Sequence, residues 1–499
     1  MNPTINWHAI APELIVAGTA VVALIADLML PRDRKIIGPR IAAVGCLAAL
    51  IPVITLAFQI GDDGPISMFG GAYVVDGFAL AFKGFFVLVA YLTLLLSLDY
   101  IADGDYYQTE YYFLLLTSVL GMMAMASSRD LISVFVALET ISIPTFILAG
   151  WRKHDSKSNE AMMKYFVIGA LSSAVMLYGM SLVFGLTGGT TNLAEIATKL
   201  PELGVTNDQT GLWIVAVFAT LVGFFFKVSA VPFHNWAPDT YEGAPTPVTA
   251  FLSVASKAGG FVALTTVVYA AFPGQPDWWQ PILWVLAAAS MFVGNLTALR
   301  QTNIVRLLAY SSVAQGGFIL VPLAVAGEAA SSAQALQAVV IYLVIYAVMN
   351  LGAFACVIAA SKITRSGEIS SYSGLYQRNP ALVVVFALFL FSLAGIPPLA
   401  GWFAKLAMFR AVLAADTTSA TVLAVIAAVN SVIAFVYYVK PVRAMVFGEL
   451  PEGIDREASA RVSPALMLAI GTTVILVVVA GVVPAIPAWI GETAQLALG

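Results

Sequence analysis

The chain is 499 residues long, 60% apolar and only 10% charged, with a mean hydropathy of +0.91 and a formal net charge of −4. A soluble domain carries about 25% charged residues, so this chain has too few to cover a water-facing surface. Its apolar runs match a helical membrane crossing in length and are too long for the alternating strands of an outer-membrane barrel, so it reads as an all-α polytopic membrane protein.

Fourteen apolar runs of spanning length follow one another along the chain, at 10–30, 40–60, 75–98, 111–127, 130–150, 162–187, 212–243, 247–272, 281–299, 303–324, 336–360, 382–413, 420–447 and 463–490. The first is expected to be a retained helix, because "MNPTINWHAIAPELIVAG" lacks a basic signal-peptide start and puts Glu13 at the edge of its apolar run. Loops after odd-numbered spans hold Arg32, Arg34, Lys35, Arg40, Arg152, Lys153, Lys157, Arg300, Arg306, Lys362, Arg365, Arg378, Lys440, Arg443, Arg456 and Arg461. The other loops hold Arg129, Lys199 and Arg410. Sixteen basic residues against three predict both termini outside and the basic loops in the cytoplasm. The acidic loop "DYIADGDYYQTEYY" lies on the basic side, and acidic residues weigh little in this rule.

No basic cluster points to nucleic acid. Cys46 and Cys356 are too few for an iron–sulfur cluster, which takes about four ligands. His8, His154 and His234 are scattered. Neither a dinucleotide fingerprint nor a phosphate loop is present, and "GLTGGTTN" (185–192) is Gly-rich but opens no clear helix.

Runs 212–243 and 382–413 exceed the roughly 20 residues a crossing needs, and proline interrupts each: "FFFKVSAVPFHNW" and "FLFSLAGIPPLAGWFAK". Phe224 and Phe226 precede Pro232 as Phe389 and Phe391 precede Pro397, at one constant offset, and a tryptophan follows each proline. "SSRDLISVFVALE" (127–139) likewise resembles "RQTNIVRLLAYSS" (300–312) at a similar offset. Equivalent elements five spans apart have opposite orientation, so the pattern predicts two inverted repeats with broken helices 7 and 12.

Charges inside spans cost about 2.5–3.5 kcal/mol each on insertion scales. Glu139, Lys227, Lys257 and Lys405 sit well inside their runs. Lys83 and Lys164 lie nearer span ends, where snorkelling competes with function and Glu160 stands one helical turn from Lys164. His234 follows the first break and either extends a relay or bonds freed carbonyls. Burial disfavours a charged lysine and a nearby carboxylate favours it, so lysines between these influences can pass protons. The mid-span carboxylates are too few for a metal-ion cage, which favours protons as the transported ion.

The stretches "ALETISIPTF" (137–146), "GFFFKVSAVPFHNWAPDTYEGAPTPVTAFLSVASKAGGF" (223–261), "RLLAYSSVAQGGF" (306–318) and "GIPPLAGWFAK" (395–405) resemble the antiporter-like subunits of respiratory complex I. "GAPTPVTAFLSVASK" and the lysine at 405 are most similar to the subunit N branch, the counterpart of mitochondrial NADH dehydrogenase subunit 2. The likeness runs over nearly the whole chain. It implies about 14 helices: a three-helix segment (1–110), five-helix repeats at 111–272 and 281–447, and a last helix in 448–499. It implies Glu139 paired with Lys227, Lys257 at the centre of a proton relay, Lys405 on its exit side and Lys164 near the paired site. It implies a proton-translocating subunit in the bacterial inner membrane, beside other membrane subunits of complex I, including neighbouring antiporter-like subunits. NADH, FMN, iron–sulfur clusters and quinone are then expected in partner subunits and no cofactor in this chain. An Mrp-like cation/proton antiporter subunit is the alternative. Gln315 stands where the family often has histidine and cannot relay by titrating, so water, Ser311, Ser312 or Tyr310 is expected to bridge Lys257 and Lys405.

Overall fold

The computed structural model describes residues 5–29, 37–103, 109–202, 207–449 and 462–497. The basic residues Arg32, Arg34, Lys35, Arg456 and Arg461 lie outside them. The crossings are α1 (Ala11–Met29), α2 (Ile37–Asp63), α3 (Gly77–Ala102), α4 (Thr109–Ser127), α5 (Leu131–Ala149) and α6 (Ser156–Leu186). After the short α7 (Leu193–Glu202) comes the broken seventh crossing, α8 (Asn207–Val228) with α9 (Trp236–Gly243). Then follow α10 (Thr246–Ala271), α11 (Pro276–Ala298), α12 (Ile304–Leu323) and α13 (Ser332–Thr364). The broken twelfth crossing is α14 (Pro380–Ala394) with α15 (Ala400–Ala414), and α16 (Thr418–Phe447), α17 (Pro464–Val482) and a short α18 (Ala485–Thr493) complete the chain. The fold is thus an all-α bundle of fourteen crossings. Twelve of the described helices are long and apolar enough to cross a membrane alone, and α1 and α14–α15 supply the other two crossings. Helix α10 is buried throughout its apolar stretch and α13 nearly so, which makes them the bundle's axis, whereas α17 and α6 leave most of theirs unburied.

Small residues set the closest helix contacts, as expected where lipid offers no hydrophobic drive. A side chain at Gly294 of α11 would meet the Ala314 backbone of α12 at 2.6 Å, and one at Gly317 of α12 would meet the Met291 backbone of α11 at 2.8 Å.

The two repeats carry matching hydrogen bonds on opposite faces. At the start of α5, Leu131 N–H donates to Thr191 and Leu193 N–H to Arg129. At the start of α12, Ile304 N–H donates to Gly367 and Ile369 N–H to Thr302. Asp130 caps α5 and Asn303 caps α12, each accepting from the backbone two and three residues on. The breaks match as well. Ala230 N–H reaches back to Phe225 and Ile396 N–H to Phe391, with Ser229 and Gly395 in the left-handed conformation that ends each helix. Val231–Pro232 and Pro397–Pro398 are the two cis peptide bonds among the described residues. The Ala230 and Ile396 hydrogen bonds pair Pro232 with Pro398, not with Pro397. The register at the break therefore shifts by a single position, and the counterpart of Lys227 is Leu393, not Ser392.

Two elements escaped the sequence reading. A two-stranded hairpin, β1 (Ile66–Met68) with β2 (Tyr73–Val75), joins α2 to α3. The Gly-rich stretch does open a helix, because Asn192 accepts from Ala194 and Glu195 N–H and so caps the amphipathic α7. Both lie on the face where α1 begins, together with Asp76, whose carboxylate forms a buried 2.7 Å pair with Arg129.

Candidate proton-relay site

Besides Lys83, three lysines are buried inside the bundle, Lys227 and Lys257 at 1% exposure and Lys405 at 6%. None has a carboxylate within ion-pair distance among the described residues. Lys227, in the last turn of α8, donates to the Ser142 hydroxyl (2.9 Å) and the Tyr165 hydroxyl (3.2 Å). Its ammonium also lies 5.6 Å from the Tyr165 ring centre and 6.0 Å from that of Phe146. The implied Glu139–Lys227 pair is not formed. Glu139 accepts from Ser173 of α6 at 2.5 Å and is part-exposed on that flank, while Ser142, three residues further along α5, takes the ammonium.

Lys257 follows a π-helical turn, Leu252–Ser256, inside α10. Such turns interrupt the regular ladder and recur at functional sites. Its Nζ donates to the Ser312 carbonyl (2.6 Å) and hydroxyl (2.7 Å). Beside it the hydroxyl of Ser256 is buried without a hydrogen-bond partner among the described residues. Such a group is costly unless water reaches it.

Between Lys257 and Lys405 lies a row of polar groups. Ser311, next to Ser312, bonds the Tyr438 hydroxyl. Gln315 donates to Tyr438 (3.2 Å) and to the Leu393 carbonyl (3.0 Å), and accepts from Tyr342 (2.7 Å). The next carbonyl, Ala394, accepts from Lys405 Nζ at 2.7 Å. Lys405 sits over the Phe318 ring, 4.9 Å from its centre. Ser311 and Ser312 thus belong to the bridge, but Tyr310 makes no hydrogen bond in it, and Tyr342 and Tyr438 take that part. Neither tyrosine stood out in sequence, because tyrosines at helical spacing usually read as core.

Lys164 and His234 lie elsewhere. Lys164 is 41% exposed and pairs with Glu160 (2.6 Å) and Asp239 (2.5 Å) at the bundle's edge. His234, in the first break, is partly buried, its Nδ1 without a hydrogen-bond partner among the described residues. Lys83 does not snorkel: it is fully buried and paired with Glu13 at 2.9 Å, with Tyr73 bonded to both.

The model of the NADH:quinone oxidoreductase/Mrp antiporter membrane family matches residues 128–433. NAD(P)H-quinone oxidoreductase subunit 2 of Thermosynechococcus vestitus is 44% identical over 448 residues, 90% of this chain and 84% of that protein. Its counterpart from Trichodesmium erythraeum is 42% identical over 451 residues, 90% and 83%. Among solved structures, a chain of Thermus thermophilus respiratory complex I with bound aureothin is 30% identical at a TM-score of 0.76, covering 97% of this chain and 100% of that one. A chain of the Mrp complex from a Dietzia species shares the fold at a TM-score of 0.83 and 21% identity, covering 98% and 97%. With two inverted five-helix repeats, two broken helices and relatives above 40% identity over nine-tenths of its length, the chain belongs to the NADH:quinone oxidoreductase/Mrp antiporter family, on the side of NAD(P)H-quinone oxidoreductase subunit 2.

Proposed function

We propose that the chain is the proton-translocating membrane subunit of a proton-pumping NADH:quinone oxidoreductase. The observation that carries this is the set of three buried lysines held by hydroxyls and carbonyls alone. An ammonium with neutral partners can give up its proton without leaving a stranded carboxylate. In this reading a proton reaches Lys227 from the cytoplasm and passes to Lys257. It then crosses the Ser312–Ser311–Tyr438–Gln315 chain to Lys405 and leaves outward. Gln315 carries no charge; it holds the tyrosines and water in line. Glu139, half-exposed beside Ser173, is the acid whose movement toward or away from Lys227 couples this subunit to its neighbours.

The repeats then run over 111–272 and 281–447, with 1–110 and 448–499 as flanking segments. The basic bias places the termini on the periplasmic side of a bacterial inner membrane. NADH, flavin, clusters and quinone belong to partner subunits. Likeness to an Mrp chain at 21% identity carries the fold only and does not favour the antiporter alternative. Native purification tests the proposal. Recovery in a large complex that oxidises NADH is expected; recovery as a stand-alone protein exchanging sodium for protons would contradict it.

A further inference from the structure

Helix α9 ties the first repeat to the second. Asp239 takes Lys164 of α6 on one oxygen (2.5 Å) and Arg306 of α12 on the other (2.8 Å). Glu242 takes Arg306 (2.9 Å) and Lys157 (3.1 Å), and Arg152 donates to the Gly243 carbonyl (2.8 Å). Between these tethers and Lys227 stands Trp236. Its buried ring lies 4.3 Å from the Tyr165 ring at an interplanar angle of 17°, and its indole N–H donates to the Phe226 carbonyl (3.2 Å). Phe226 stacks on Tyr165 as well, and Phe146 meets it edge-on at 4.6 Å. The Tyr165 hydroxyl, 3.2 Å from both Lys227 Nζ and Thr145 Oγ1, is buried under this aromatic cover.

The repeat gives the position of Asp239 a second meaning. Asp239 follows Pro232 by seven residues and Trp236 by three, as Lys405 follows Pro398 and Trp402. The place that holds a buried lysine at the far end of the second repeat holds a half-exposed, doubly paired carboxylate at the near end of the first. Trp402 is tethered differently, to the Gly481 carbonyl of α17.

We propose that α9 is the entrance gate of the first half. Trp236 closes off the Tyr165 hydroxyl, and through it Lys227, from the face that carries Asp239, while the Asp239 ion pairs hold it shut. When α9 swings out, water reaches Tyr165. The hydroxyl accepts a proton from a hydronium ion on its lone pair and gives its own to the Lys227 amine; one O–H bond breaks, one N–H bond forms, and Tyr165 is unchanged. Asp239 is a positioning residue here, acting through Trp236. The proposal rests on the reading that Lys227 exchanges protons, and the test separates the two.

The whole complex is reconstituted into tight liposomes, without NADH, and the decay of an imposed pH gradient is followed with an internal dye; flavin content and native size check assembly. Trp236→Ala is expected to leak several-fold faster than the native complex, and Lys227→Met added to it should restore tightness. Asp239→Asn, which leaves the aromatic cover intact and loosens its tether, should raise the leak by less. A native leak rate in both Trp236→Ala and Asp239→Asn overturns the gate. A leak from Trp236→Ala with none from Asp239→Asn overturns the role of the tether. A leak that Lys227→Met does not stop removes Lys227 from the path and overturns the underlying reading.

Discussion

Lys257 donates to the Ser312 hydroxyl at 2.7 Å, and Ser312 occupies in the second repeat the position of Glu139 in the first. The matched bonds of Leu131 and Ile304 fix that register, in which Ser142 also answers to Gln315. Ser142 bonds Lys227, and Gln315 bonds the carbonyl of Leu393, the counterpart of Lys227. The same place in the scaffold thus holds an acid bonded to Ser173 in the first half and a hydroxyl bonded to Lys257 in the second. Ser312→Asp should place a carboxylate against Lys257, fix it as an ammonium and lower NADH-driven proton uptake strongly. Ser312→Ala leaves the carbonyl bond, loses about 1 kcal/mol and should slow uptake only modestly. Proton uptake in inverted vesicles measures both.

Tyr165→Phe keeps the ring between Trp236 and Phe226 and removes the hydroxyl beside Lys227. Assembly should be retained and proton uptake should fall. Uptake at the native rate would mean that Lys227 is loaded by another route.

Gln315 satisfies three groups at once. Gln315→Leu should strand them at a cost of about 1–3 kcal/mol and interrupt transfer to Lys405. Gln315→His restores a titratable side chain of similar reach and should pump. The comparison is made as protons moved per NADH oxidised.

Much of this was legible in the sequence. Hydropathy found all fourteen crossings, and proline inside over-long runs found both breaks. The buried lysines announced themselves because an apolar run leaves a charge no cheap place to go. Their partners did not. The sequence marks Ser312 only as a bridge toward Lys405, and Ser142, Tyr165, Tyr342 and Tyr438 read as ordinary small or aromatic core residues until three helices converge. The resemblance implied a Glu139–Lys227 pair, yet the helical phase of α5 turns Glu139 toward Ser173 and Ser142 toward the lysine. Lys164 and Asp239 lie 75 residues apart and meet only because the chain breaks at Pro232 and returns α9 to α6.

Topology has its own check. Ser156 starts α6 on the face rich in arginine and lysine and is exposed. A cysteine placed there should react only with reagents that reach the cytoplasm. Labelling from the outside would invert the proposed direction of transport.

The central claim is that the buried lysines exchange protons and do not serve as fixed charges. Lys257→Arg tests it most directly. Arginine keeps the positive charge and can still donate to Ser312, but it effectively never deprotonates. With assembly verified, NADH-driven proton uptake and the ratio of protons to electrons are measured in inverted vesicles. The expected result is a marked loss of pumping, with NADH oxidation slowed alongside it. A native rate and a native ratio in the arginine variant would contradict the relay at its centre.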